Sequence, residues 1–267
     1  MKSNKVYLFI TTLLLLISSL AKAENVTVEL TDDMLSADKQ ETFNTVLGID
    51  LSGKSDVNLV FTLATDVNPE SLTEKVLGFM AQYAKNEHVT GFDMSGLTTV
   101  KTLPTRMFDG VSNLKTIKLP LLTSLSANLF TNCSNLANLT IGEWCNTPEN
   151  TGIEMAVIPA GCFQNCGNLK DLFFTNVERV EGGAFEGCTS MTVLPIKNCK
   201  EGTEVEIGQN AFNNTKLTGD IILPEGITQI NGSSFAACPE MTNITLPTTI
   251  KSVDPEFDIN SVNLTHI

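Results

Sequence analysis

One phenylalanine recurs down this chain and constrains the fold more than anything else in it. It stands at Phe108, Phe130, Phe163, Phe185, Phe212 and Phe235, and less cleanly at Phe257, with gaps of 22, 33, 22, 27, 23 and 22 residues. The base period is therefore near 22, with two insertions. Apolar marks return with each copy. Leu103, Leu125, Ile158, Val180, Ile207 and Ile230 lie five residues before it; Val100, Leu122, Met155, Val177 and Ile227 lie eight before it. Leu114, Leu136, Leu169, Met191 and Met241 lie six after it. A unit this short cannot bury its apolar face alone and must stack on its neighbours, so the period predicts a solenoid.

Alternation predicts a strand in each unit, because side chains on a strand point to opposite faces in turn. Ile117 and Leu119 point inward from Thr116-Ile117-Lys118-Leu119-Pro120. The equivalent inward pairs are Leu139 and Ile141, Leu172 and Phe174, Leu194 and Ile196, Ile221 and Leu223, and Ile244 and Leu246. Stacked, these strands form one parallel sheet, with Pro120, Pro224 and Pro247 closing theirs because proline cannot extend the ladder. The second apolar pair of each unit, such as Val177 and Val180, supplies another short extended side. The insertions, about 142–154 and 197–203, are expected to leave the stack as loops. The single Trp, Trp144, lies in the first, either exposed for recognition or folded back over the sheet.

Residues 24–88 lack the Phe repeat and read as a helix-containing N-terminal cap on the repeats of 89–267, with a separate small domain as the alternative. An open solenoid end exposes core and has to be covered. Asn58–Leu63 alternates like a strand. Ser71 and Glu74 make a capping box for a helix whose Leu72, Val76, Phe79, Met80 and Tyr83 share a face. A weaker helix is expected from about Ser36 to Leu47, with Phe43, Val46 and Leu47 on its apolar side. Gly48-Ile49-Asp50-Leu51-Ser52-Gly53 returns as Gly91-Phe92-Asp93-Met94-Ser95-Gly96, close to two repeat lengths later. At the other end, Asn263–Ile267 resembles a further strand with nothing capping it, an edge suited to self-association.

Residues 1–23 read as a secretory signal peptide: Lys2 and Lys5, an apolar run from Val6 to Leu16, then Ala21-Lys22-Ala23 as the cleavage site. The run is short for a membrane span, so a retained anchor is the weaker alternative. After cleavage nothing else spans a membrane. The expected location is secreted or cell-surface, with the periplasm as the other compartment. A formal net charge of −13 repels phosphate backbones and anionic lipid, which disfavours nucleic acid and membrane surfaces as partners.

Seven cysteines in an exported chain first suggest disulfides. Yet Cys133, Cys166, Cys188 and Cys238 all lie three residues after a repeat Phe, where other copies carry Val111 and Thr215. That is a small, buried, half-apolar slot, which free cysteine fits. Cys162 takes the slot of Ala184 and Ala211. Cys145 and Cys199 remain, either bridged to each other or unpaired.

Units of the form apolar-x-x-apolar-x-x-x-Ala-Phe-x-x-Cys-x-x-Leu-x-x-Ile-x-Leu-Pro resemble the BspA-like leucine-rich repeats. The best matches are Val177 to Ile196 and Ile227 to Pro247, and the resemblance runs from about Val100 to the C-terminus. It implies a curved leucine-rich-repeat solenoid, mainly β with an α/β N-terminal cap and a parallel sheet on the concave face. It also implies an exported bacterial surface protein, some relatives being adhesins for host matrix proteins or other cells.

A catalytic constellation is missing from the sequence. The two histidines, His88 and His266, stand near opposite ends of the repeat region. There is no Cys-x-x-Cys or His-x-x-x-His spacing, and Glu181-Gly182-Gly183 lacks the Lys-Ser/Thr of a phosphate loop. Acidic pairs such as Asp32-Asp33 read as turn or helix-start residues. The expectation is a non-enzyme with no cofactor or metal. Seven Asn-x-Ser/Thr triplets, at Asn25, Asn132, Asn138, Asn213, Asn231, Asn243 and Asn263, read as chance in an Asn- and Thr-rich chain.

What remains is the outward side of the sheet: Asp93, Thr116, Lys118, Asn138, Thr140, Asp171, Phe173, Val193, Ile222, Asn243 and Thr245. Phe173, Val193 and Ile222 form an apolar patch there unless the 142–154 insertion covers them. The first functional reading is protein–protein binding through this face, in adhesion to a host matrix or cell-surface protein. The alternative is a structural or assembly component of the envelope or matrix. Carbohydrate binding would want more aromatics than two Tyr and one Trp.

Overall fold

The computed structural model describes residues 23–68, 71–142, 152–170 and 172–257. The expected signal peptide up to residue 22, Trp144, Cys145, Asp171 and the C-terminal strand lie outside the described residues.

The N-terminal segment runs β1 (Glu24–Leu30), α1 (Asp32–Leu35), α2 (Gln40–Leu47), β2 (Val57–Leu63), α3 (Glu74–Ala84) and β3 (Val89–Asp93). The first repeats add β4 (Thr116–Leu119) and β5 (Asn138–Ile141), and all five strands form one parallel sheet in chain order. Leu59, Phe92, Ile117 and Leu139 pair in sequence across it, all with their side chains in the core. The helix-bearing segment and the repeats thus share a sheet and a core. The repeated Asp-x-Ser-Gly motif marks a turn, which in its second copy starts from the last residue of β3. Asp50 Oδ1 accepts from the Ser52 amide at 2.8 Å, and Asp93 Oδ1 from the Ser95 amide at 3.0 Å.

Both helices differ from their expected bounds. α3 is capped by Thr73, whose hydroxyl accepts from the Val76 amide at 3.4 Å, and Ser71 lies upstream of it. Val76 and Met80 are buried, while Phe79 and Tyr83 lean on Phe43 of α2, with ring centroids 5.7 and 6.3 Å away. The weaker helix is shorter than expected, α2 alone, and α1 is a separate turn that precedes the expected range. The Ser36 amide closes α1 onto Asp32, and Lys39 is extended before α2 begins. Gly48, at φ +58°, ends α2 in the left-handed conformation that glycine takes most readily.

Farther along come β6 (Ile153–Glu154), β7 (Val157–Ile158), β8 (Phe174–Thr175), β9 (Arg179–Val180), β10 (Val205–Ile207), β11 (Gly219–Ile222), β12 (Ile227–Ile230), β13 (Met241–Thr245) and β14 (Ser252–Val253). The second extended side is a five-stranded parallel sheet of β7, β9, β10, β12 and β14. The first side is not the single sheet expected. After β5 it continues as two pairs, β6 with β8 and β11 with β13. Between the pairs, Ile196 makes only an isolated bridge to Phe174, because Pro195 beside it has no N–H to add a rung. Part of the first insertion, Ile153–Glu154, is strand rather than loop.

The phenylalanines form a spine. From Phe108 through Phe130, Phe163, Phe185 and Phe212 to Phe235, each fully buried ring stacks on the next with centroids 5.1–5.6 Å apart. Phe92 and Phe257 close the ends edge-on.

The turn carrying each Phe has a regular backbone. The residues two before and two after it have φ between +52° and +75°: Arg106 and Gly110, Asn128 and Asn132, Gly161 and Asn165, Gly183 and Gly187, Asn210 and Asn214, Ser233 and Ala237. This alternation lets amides on one turn donate to carbonyls on the next, as from Phe130 to Cys162, Asn132 to Gln164 and Phe163 to Ala184. Left-handed backbone suits Gly and Asn, and costs other L-residues about 1–2 kcal/mol. Ala237 is therefore strained, at φ +52°. Ala237→Asn is expected to raise stability by about 0.5–1 kcal/mol, read as a higher midpoint in denaturant.

The half-apolar cysteine slot has its explanation here. The thiols of Cys133, Cys166, Cys188 and Cys238 donate to the carbonyls of Phe108, Phe130, Phe163 and Phe212, at 3.0, 3.1, 3.2 and 3.3 Å. Except at Thr215, each slot residue thus ties its own unit to the Phe before it, and Val111, with no repeat Phe before it, needs no donor. Thr215 bonds its own Phe212 carbonyl and touches the Cys238 sulfur at 3.2 Å.

One glycine sets how closely two units approach. A Cβ on Gly208, just past β10, would lie 2.6 Å from the Gly182 nitrogen and 2.7 Å from the Glu181 carbonyl carbon. Backbone cannot swing aside as a side chain can. Gly208→Ala is expected to cost about 1–3 kcal/mol by forcing the units apart, seen in urea unfolding.

Candidate protein-binding face

Strand alternation places most of the expected face outward. On β4 and β5, Thr116 pairs with Asn138 and Lys118 with Thr140, and Lys118 and Asn138 are exposed. On β11 and β13, Ile222 pairs with Thr245, and Asn243 pairs with Asp220. Ile222 is 71% exposed, the most of any large hydrophobic side chain described. Asn243 and Thr245 are half-buried.

Two members of the face are less available than alternation implies. Lys118 Nζ lies 3.2 Å from Asp93 Oδ2, and Asp93 is itself buried and held by both the amide and hydroxyl of Ser95. Phe173 is half-buried beneath Lys197, whose Nζ sits 4.9 Å from the ring centroid. Val193 is 39% exposed, in the stretch between the two strand pairs. The apolar side chains therefore do not share one hydrogen-bonded sheet. Gly152 and Ile153 run alongside Phe173, with the Ile153 amide 2.8 Å from its carbonyl.

The face carries charge of both signs. From β3 to β13 its charged groups include Asp93, Lys118, Glu154, Lys197 and Asp220, with Glu154 paired to Thr175 on β8. The chain as a whole carries 30 acidic and 17 basic residues.

Sequence reasoning missed an open groove of about 580 Å³ at the corners of successive units, a volume within the range of ligand sites. Leu121, Leu122 and Ala156 give it apolar walls, and Glu154, Glu178, Lys200 and Glu201 its charges. Asn176 donates to Glu154 at 3.0 Å, and Lys200 pairs with Glu178. No spacing signals it, because its lining comes from four different units.

Among the described residues, no group of three or more His, Cys, Asp or Glu is placed to hold a metal ion. His88 stands 3.8 Å from Glu87. The buried thiols are poor nucleophiles: burial pushes Cys133 and Cys188 up to about 12 and holds Cys162 and Cys166 well above the usual thiol range, while half-buried Cys199 is pushed to about 11. Among the described residues, no helix is long and apolar enough to cross a membrane.

No curated protein matches the chain significantly. Two solved structures are similar to it. One is a leucine-rich repeat protein from Bacteroides ovatus, 19% identical, covering 63% of this chain and 46% of its own, with a TM-score of 0.44. The other is a leucine-rich cell surface protein from Faecalibacterium prausnitzii, 18% identical, covering 80% of this chain and 55% of its own, with a TM-score of 0.36. This chain thus spans about half the length of each. The family model for the BspA-type leucine-rich repeat region matches residues 83–201 and 156–267, more than half of the sequence. With its Phe spine, cysteine slots and parallel strands, the chain belongs to the BspA-type leucine-rich-repeat family.

Proposed function

We propose that this is a non-enzymatic, exported protein-binding module. It uses the outward face of the β4–β5 and β11–β13 strands to hold a protein of the host matrix or of another cell surface, in adhesion. The observation that carries this reading is Ile222: a large apolar side chain, 71% exposed, on a strand hydrogen-bonded to its neighbour. Apolar groups held in water on a rigid scaffold contribute most when a partner covers them. Thr245 pairs with it across the β11–β13 ladder, and Lys118, Asn138 and Thr140 offer polar contacts farther along, on β4 and β5. Thr116 and Asn243 are half-buried in the same strands, and Phe173, Val193 and Asp171 extend the proposed face.

Single substitutions on the face test this. Ile222→Ser is expected to weaken partner binding about tenfold or more, which is about 1.4 kcal/mol, with an unchanged melting temperature. Phe173→Ser is expected to weaken binding and also to lower stability by about 1 kcal/mol, through loss of its contact with Lys197. Titration calorimetry beside thermal melts separates the two effects. Unchanged binding by both variants would remove this face from the proposal.

A further inference from the structure

We draw no further inference here: the strongest candidate, the open groove walled by Leu121, Leu122 and Ala156 and edged by Glu154, Glu178 and Glu201, carries nothing because its carboxylates only repeat the acid excess of the whole chain, and residues 143–151, which leave and rejoin the chain beside it, lie outside the described residues, so nothing in the structure shows what covers it.

Discussion

Phe185→Ala is expected to lower stability by about 4 kcal/mol, within the range for emptying a buried aromatic site. The ring is fully buried and stacks on Phe163 at 5.2 Å and Phe212 at 5.4 Å, with Phe174 at 6.1 Å. Its loss removes a large apolar surface and two stacked contacts worth about 0.5–1.5 kcal/mol each. Neighbouring units cannot close the gap, because amide bonds from turn to turn fix their spacing: Phe163 to Ala184, Phe185 to Ala211, Phe212 to Ser234. Against a total of roughly 5–15 kcal/mol for a typical domain, the effect is severe. In a stack stabilised by nearest neighbours it also splits the spine in two. Urea unfolding followed by circular dichroism should show a lower midpoint and a broader transition than wild type. A loss below about 1 kcal/mol would mean that the rings do not carry the stack.

The second large effect is alkaline. Unfolded thiols ionise near pH 9, whereas burial holds Cys133 and Cys188 up to about 12 and raises Cys162 and Cys166 well above the usual thiol range. Below pH 9 these thiols are protonated in both states, and their contribution to stability is fully present. Above it the unfolded chain releases protons that the folded chain keeps. Stability is then lost progressively as the pH climbs toward the folded values. At pH 10 each of these thiols costs on the order of 1 kcal/mol relative to neutral pH, so together they remove several kcal/mol. The urea midpoint should stay nearly flat from pH 7 to 8.5 and fall steeply from pH 9 to 10.5. Cys188→Ser should make that fall shallower, since a hydroxyl does not titrate there. A thiol reagent at pH 8 should label these four positions only after unfolding. Rapid labelling of the native protein would contradict their burial.

Why the scaffold was legible and the site less so follows from particular residues. The Phe period reports a contact that every unit must make with its neighbour, so one chain repeats the same information six times. The Asn and Gly residues beside most of these Phe residues carry a second message, left-handed backbone, which explains Asn132 within an Asn-x-Ser triplet without any glycan. The cysteine slot was readable as small and half-apolar, but its bond to the preceding Phe carbonyl was not, because that partner lies one turn of the solenoid away. The second break in the first sheet, between β8 and β11, involves Pro195, whose missing donor matters only once its strand partner is known. Thr73 displaced Ser71 as a helix cap by a shift of two residues, which propensity does not resolve.

On the face, alternation alone predicts that Ile222 points outward, because a strand of period two leaves no other choice. It cannot predict that Lys197 covers Phe173 or that Asp93 ties Lys118. Those contacts join residues 24 and 25 positions apart in sequence, and they depend on the register between units. The groove at Leu121 and Glu178 was invisible for the same reason.

The central claim, that a protein partner sits on the β11–β13 face, is tested most directly by site-specific photo-crosslinking. A photoreactive phenylalanine analogue would replace Ile222 in one protein and Gln229, exposed on β12 of the other sheet, in a second. Each would be illuminated with purified extracellular-matrix proteins and with intact host cells. The account predicts a discrete adduct from position 222 that unlabelled wild-type protein competes away, and none from position 229. An adduct from position 229 alone, or from neither position while the wild-type protein still binds, would contradict it.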